Sequence, residues 1–153
     1  MRAFAISLTG RPEYADDLVQ DTIVRAWSQF ESFTPGTNLK AWLFTILRNE
    51  YFSQLRKTKR EVEDPDGFHA GQLVDSPNQH GVMDLDDFRQ ALDKLPADQR
   101  EAIILVGASG FTYDEAAVIC GVAPGTLKSR VSRARAAIAE LLGMTDAAEI
   151  GRS

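Results

Sequence analysis

From Tyr14 to Phe30, core-compatible side chains return every three or four residues, at Leu18, Val19, Thr22, Ile23, Ala26 and Phe30. That spacing lines one side of a helix. Asp17, Asp21 and Arg25 step by four along another side. The turn-rich "SFTPGTN", Ser32 to Asn38, ends this element, and a second helix runs on from about Leu39. Its pattern turns Leu39, Trp42, Leu43, Ile46 and Leu47 inward and Lys40, Arg48, Asn49, Ser53 and Arg56 outward. Trp27, Phe30 and Trp42 fall on or beside these stripes and are expected in the core rather than as stacking platforms. The opening "RAFAISLTG" reads as the end of another helix, closed by Gly10.

Further along, Leu85 to Leu95 forms a short helix, and Pro96 marks the entry to the next, Ala97 to about Ala108, ended near Gly110. Thr112 and Glu115 have the spacing of a capping box, and Gly121 supplies a left-handed stop after Cys120. Pro124 opens the final helix, where Leu127, Val131, Ala134, Ile138 and Leu141 form a core stripe closed by Gly143. Period-two alternation is absent from both helical stretches, so the fold class is all-α. Between them, Glu61 to Met83 mixes Pro, Gly, Asp, Asn and His without a sustained period, which is the composition of a flexible linker. The expected organisation is a unit at 1–60, a linker at 61–83, a second unit at 84–143 and a tail at 144–153.

At 153 residues, 44% hydrophobic and 25% charged, the chain suits one ordinary domain or two small ones, each with a thin core of its own. The longest apolar run, Ala102 to Val106, is far too short to cross a bilayer, and the N-terminus lacks a signal-peptide pattern. A cytoplasmic location without membrane contact is the expectation. The lone Cys120 reads as a buried core thiol, and no metal-ligand spacing accompanies it.

Charge changes the picture. The net −5 is uneven: residues 1–60 balance at +3, residues 61–83 at −5 and residues 84–153 at −3. Lys40 to Arg60 holds six basic residues against Glu50 alone, and four more are bunched from Lys128 to Arg135. Two cationic patches on an acidic chain are an electrostatic footprint for nucleic acid.

The second patch has a structural context. A capped helix, a glycine turn and a helix whose opening turns are basic compose a helix-turn-helix, whose second helix enters the major groove. With Leu127, Val131 and Ala134 turned to the core, the opposite side shows Gly125, Ser129, Ser132, Arg133 and Ala136. Small groups there permit close approach, and Arg133 is long enough to read guanine. Lys128, Arg130 and Arg135 flank the strip where phosphates would lie. A solvated basic face is the alternative reading.

"DLVQDTIVRAW", "LKAWLFTILRN" and "LPADQREAIILV…GFTYDEAAVICGVAPGTLKSRVSRAR", in that order, resemble a bacterial sigma factor of the extracytoplasmic-function type over nearly the whole chain. "REVEDPDG" and "ILVGASGF" resemble further the subgroup that runs a general stress response. The resemblance implies a sigma region 2 bundle and a sigma region 4 helix-turn-helix. It implies core RNA polymerase, promoter DNA and a small anti-sigma protein as partners. Asp16, Asp17, Gln20, Asp21 and Arg25 match the surface pressed against the polymerase clamp helices. An acidic row is suited to pairing with arginines. Ser32 to Asn38 matches the loop that receives a flipped base of the minus-ten element, and Asn49 matches a residue that helps read it. Thr34, Thr37, Asn38 and Asn49 supply hydrogen-bonding groups for such a base. Lys40, Arg48, Arg56, Lys57, Lys59 and Arg60 are the cations for phosphates. For the minus-thirty-five element the matching set is Thr126, Lys128, Ser129, Arg130, Ser132, Arg133 and Arg135. Two departures stand out: Ser53 replaces an acid that many relatives place four residues after the asparagine, and the family's first helix usually begins upstream of Arg2. Met1 then reads as a truncated or alternative start.

The expectation is therefore an alternative sigma factor that starts transcription at stress-response promoters. It is expected to be no enzyme and to need no cofactor, because no acidic cluster is paired with a nucleophile, metal set or phosphate loop. A free-standing helix-turn-helix regulator and a sigma-like decoy for an anti-sigma factor are the rivals. The first leaves the acidic helix without a task; the second leaves Lys128, Arg130, Arg133 and Arg135 without one.

Overall fold

Gly10 adopts a left-handed backbone, φ 80°, and stops the first helix, α1 (Arg2–Thr9). The chain turns directly into α2 (Pro12–Ser28), with proline in its first turn, where the missing N–H costs nothing. A single 3₁₀ turn, Phe30–Ser32, follows, and α3 (Leu39–Glu61) begins where the Asn38 Oδ1 accepts a hydrogen bond from the Ala41 N–H at 3.1 Å. The computed structural model describes residues 1–61 and 83–143, so most of the predicted linker and the predicted tail lie outside the described residues. The second unit comprises α4 (Met83–Asp93), α5 (Ala97–Ile103), α6 (Tyr113–Cys120) and α7 (Pro124–Leu141). Among the described residues there is no strand, and no helix is long and apolar enough to cross a membrane.

Local rules hold well in the second unit. Thr112 and Glu115 form the full capping box: the Thr112 hydroxyl accepts from the Glu115 N–H at 3.1 Å, and the Thr112 N–H donates to the Glu115 carboxylate at 3.0 Å. Gly121 is left-handed at φ 72°. Beyond α5 the chain widens into a π-helical turn, Ile104–Ala108, with the Ser109 N–H donating to the Ile104 carbonyl at 2.9 Å. After it, Phe111 meets the Phe44 ring edge-on, with centroids 4.9 Å apart.

That contact crosses between the two units, and it is one of many. Phe4, Ala5, Leu18, Phe44 and Leu47 of the first unit share one buried cluster with Leu105, Phe111, Ala116, Leu127 and Val131 of the second. The expectation of a separate core for each unit is corrected. Three helices of about sixty residues bury a smaller share of their surface than a larger domain does, and here the second unit covers the faces left open. A satellite cluster, Ala91, Leu95, Ala134 and Ile138, packs α4 on α7.

Polar contacts fix how the units meet. Arg48 of α3 forms an ion pair through Nε with Glu101 of α5, and its Nη2 reaches the second carboxylate oxygen at 3.3 Å. Glu101 is only 4% exposed. Burial opposes the charge on Arg48, but the hydrogen bonds and charge of Glu101 outweigh it and raise the guanidinium pKa above its ordinary value. Lys40 Nζ donates to the Ser109 carbonyl at 2.5 Å, Asn38 Nδ2 to Glu115 at 3.0 Å and Arg100 Nε to the Ser7 carbonyl at 3.0 Å.

Several predicted core positions face solvent. Trp27 is 83% exposed, and Ile23, Phe30, Leu39 and Leu141 are exposed as well; Trp42 is half-buried. Leu18, Thr22 and Ala26 hold the inner line of α2, so Ile23 and Trp27, one residue beyond it, rotate outward. Leu39 and Leu141 occupy the first and last positions of their helices.

Removing Arg48 would strand the buried Glu101. Arg48→Ala should lower unfolding stability by roughly 3 kcal/mol, and Arg48→Met with Glu101→Leu should recover much of it, as read from urea midpoints. An unchanged midpoint for Arg48→Ala would show that the pair does not close in solution. Burial, then the Glu101 charge, pushes the Cys120 thiol from 9.0 up to about 12. A thiol raised in this way favours the fold fully below its unfolded pKa and progressively less as pH climbs through the interval towards the folded one. Stability should fall above pH 9 with a component that Cys120→Ala removes, measurable by denaturation across the alkaline range.

Candidate nucleic-acid interface

The helix-turn-helix is built by α6, the Gly121–Ala123 turn and α7. Leu127, Val131 and Ala134 are buried against the rest of the unit. This aims Thr126, Lys128, Ser132 and Arg133 at solvent, while Ser129, Arg130 and Arg135 are partly covered. Arg133 thus stands on the open strip with only Ser132 and Ala136 beside it, the arrangement a base-reading arginine requires. Lys128 Nζ lies 5.7 Å from the centre of the Tyr113 ring, at a shallow groove formed with Thr112, Pro124 and Gly125. Arg130 differs from the expectation. Its Nε faces Asp98 of α5 at 3.6 Å, on the core side of the strip, so a phosphate would have to compete with that carboxylate.

On the first unit the acids Asp16, Asp17 and Asp21 and the amide Gln20 are all exposed along α2. Asp16 pairs with Arg2 at 2.8 Å, and Asp21 accepts from Gln54 of α3 at 3.0 Å. Ile23, Val24 and Trp27 continue this face as an exposed apolar stripe that sequence periodicity assigned in part to the core. Arg25 leaves the row: its Nε meets Glu50 of α3 at 2.7 Å.

The expected minus-ten residues are split. Thr34 and Thr37 lie on the exposed loop, linked by a Thr37 hydroxyl donating to the Thr34 carbonyl at 2.6 Å. Phe30, Phe33 and Trp42 pack under it, with Phe33 and Trp42 centroids 5.2 Å apart. Asn49 stands eleven residues beyond Asn38, about 16 Å along a helix at 1.5 Å per residue, so the two do not form one pocket. Asn38, Lys40 and Arg48 are engaged by the second unit, at Glu115, the Ser109 carbonyl and Glu101 respectively. Lys40 also lies 5.0 Å from the centre of the Phe111 ring. In this arrangement all three already have a partner in the second unit, although Asn38 and Lys40 stay exposed to solvent. Arg56, Lys57, Lys59 and Arg60 remain exposed on the last turns of α3.

Sequence reasoning passed over Glu50, Gln54, Glu101 and Glu115 as partners. Glu115 was legible only as a cap; here hydrogen bonds from the Thr112 backbone, then from Asn38, hold its pKa below the usual carboxylate range. Glu50 and Gln54 carried a readable signal, since they are four apart on one face of α3 and bond each other at 3.1 Å. Glu101 carried none, because its partner lies 53 positions away.

Residues 1–61 match the family Sigma-70 region 2, and residues 85–138 match Sigma-70, region 4. The chain is 58% identical, over 99% of its length, to the ECF RNA polymerase sigma factor EcfG of Rhodopseudomonas palustris, spanning 83% of that protein. It is 34% identical over 81% of its length to the ECF sigma factor SigC of Mycobacterium tuberculosis, spanning 68% of it. Among solved structures, it is similar to the sigma factor RpoE in complex with the anti-sigma factor NepR from Bartonella quintana, with a TM-score of 0.82 and 59% identity, covering 95% of this chain and 91% of that one. It is also similar to CnrH in complex with the cytosolic domain of CnrY, with a TM-score of 0.67 and 28% identity, covering 95% and 81%.

The geometry of α7 separates its arginines. Arg133→Ala should weaken duplex binding by roughly 1 to 3 kcal/mol and relax preference at one base pair, whereas Arg130→Ala should leave base preference intact. Competition binding against single-base-pair variants of the duplex reads this; equal, sequence-independent losses from both changes would reject the assignment.

Proposed function

The chain belongs to the extracytoplasmic-function sigma factors of the sigma-70 family, and on that footing we propose that it brings core RNA polymerase to stress-response promoters under the control of a small anti-sigma protein. It is an alternative sigma factor, acting in the cytoplasm as a binding protein and not as an enzyme. One observation carries the reading: a single chain presents both an exposed acidic row with an apolar stripe on α2 and an exposed Arg133 strip on a helix-turn-helix. Asp16, Asp17, Gln20 and Asp21 pair with basic groups of the polymerase, and Ile23, Val24 and Trp27 pack beside them.

Residues 1–60 then serve the minus-ten element and residues 84–143 the minus-thirty-five element, the latter through Thr126, Lys128, Ser132, Arg133 and Arg135. The closed arrangement is the resting form. Its likeness to a sigma factor in complex with an anti-sigma protein extends over both units, which supports a small partner that holds the units closed. Opening releases Asn38, Lys40 and Arg48 from Glu115, the Ser109 carbonyl and Glu101, and the first unit gains three unengaged groups for the promoter at one step. A free-standing regulator has no use for the α2 surface, and a decoy has none for Arg133.

Electrostatics sets the test. While the units are closed, the cations of the first patch that have no partner in the second unit are Arg56, Lys57, Lys59 and Arg60, on a molecule of net charge −5. Affinity built on so few phosphate contacts falls steeply with salt, to dissociation constants of roughly 10⁻⁴ to 10⁻⁶ M at physiological ionic strength. Core polymerase fixes the spacing of the two units, so that engagement of one element raises the effective concentration of the other. Anisotropy of a labelled promoter at physiological salt should show weak binding by the free chain and strong, specific binding once core enzyme is added. Tight, specific binding by the chain alone, unchanged by polymerase, would favour the free-standing regulator.

A further inference from the structure

Between the C-terminal half of α2 and the middle of α3 lies a polar pocket of about 280 Å³, lined by Arg25, Gln29, Asn49, Glu50, Ser53 and Arg56. None of its lining residues belongs to the 32–38 loop or to the second unit. Arg25 on α2 and Gln29, which caps its C-terminal end, supply one wall, and Asn49, Ser53 and Arg56, at steps of four and three on α3, supply the other. The pocket adjoins the exposed cations at the end of α3, which suit the backbone of a single strand.

Arg25 is held in this pocket by a fixed support. Glu50, largely buried, meets the Arg25 Nε at 2.7 Å with one oxygen and accepts from Gln54 Nε2 at 3.1 Å with the other. Gln54 is tied in turn to Asp21 at 3.0 Å. With Nε so anchored, the Nη groups make no hydrogen bond to any described side chain, and Arg25 lines the pocket together with Gln29 and Asn49. An anchored guanidinium whose outer donors face a cavity is prepared to recognise a planar group that presents acceptors.

Resting on the sigma-factor reading, we propose that Arg25 reads a base of the melted promoter strand in this pocket, with Glu50 and Gln54 as its positioning residues. The base presents two acceptors to the guanidinium, as guanine does through O6 and N7. Gln29, Asn49 and Ser53 complete the edge, because a base removed from its stack needs hydrogen bonds to the groups it exposes. This transfers Arg25 from the polymerase face, where its step of four from Asp21 had put it, to the DNA face.

The test uses the full chain with purified core polymerase on promoters carrying a preformed bubble, with each base of the non-template strand varied in turn. Arg25→Ala and Arg25→Lys should both lose roughly five- to hundredfold discrimination at one and the same position, leaving other positions and core binding unchanged. Lysine keeps the charge but not the fork, so its loss separates base reading from simple phosphate or polymerase attraction. Glu50→Gln should weaken preference at that same position. Arg25 is more than half exposed, so its replacement should leave the fold intact; should it not, Gln29→Leu tests the opposite wall. Wild-type-like behaviour of Arg25→Lys, or loss of core binding by Arg25→Ala with all base preferences intact, would overturn the proposal while leaving the sigma-factor reading in place. Failure of the wild-type chain to confer any promoter preference on core enzyme would remove both.

Discussion

Glu101 lies within the second unit, beside the residues that build its core, and a charge removed from water needs a partner of opposite sign. The second unit offers Arg130 to Asp98 instead, and the partner comes from α3 of the first unit, as Arg48. The apolar surfaces that meet around Phe44, Phe111 and Leu105 would tolerate a range of rotations, because hydrophobic contact is not directional. A two-pronged ion pair does not tolerate them. Arg48 and Glu101 therefore select one docking geometry, and Lys40, Asn38 and Arg100 conform to it.

Such a pair suits a contact that has to open. Desolvation cancels much of the Coulombic attraction of a buried ion pair, so it fixes geometry more than it adds stability. When the units part, water re-solvates both charges and little electrostatic energy is lost. The adhesive part is the apolar interface, which a partner can replace with apolar surface of its own. The groups that hold the closed form, Asn38, Lys40 and Arg48, are also those that family resemblance directs towards the promoter. Under the proposed function, closure and promoter contact compete for the same atoms, and each ligand shifts the equilibrium by its differential affinity for the open and closed forms.

What the chain's sequence revealed follows the range of the interactions concerned. The capping box at Thr112, the left-handed Gly121 and the stripe from Leu127 to Ile138 are set within a few residues, and all were legible. The inner face of α2 was legible at Leu18, Thr22 and Ala26 but drawn too wide at Ile23 and Trp27, because periodicity marks a centre line and not the width that neighbours cover. Under the proposed function, the large exposed apolar groups there are a surface kept for a partner, and hydropathy alone does not distinguish such a surface from a core. Arg48 and Lys40 were read as outward cations, correctly for an isolated helix. The acceptors that claim them are 53 and 69 positions away, with the predicted linker between, and local spacing carries no record of them.

The length of α3 explains how one helix serves both purposes. Its 23 residues span about 34 Å at 1.5 Å per residue, more than the second unit covers. Lys40, Phe44 and Arg48 lie on the covered half, where they recur at steps of four and so share a face. Arg56, Lys57, Lys59 and Arg60 lie beyond it, at the helix C-terminus, where their positive charge also complements the helix dipole. Arg56 bridges these regions from the rim of the pocket that Arg25 enters from α2. Under the proposed function, a single strand attracted by the last turns meets a polar pocket before it meets any residue that closure occupies. On this helix the groups usable in both forms precede, along the path of the strand, those that become available only when Glu101 gives up Arg48.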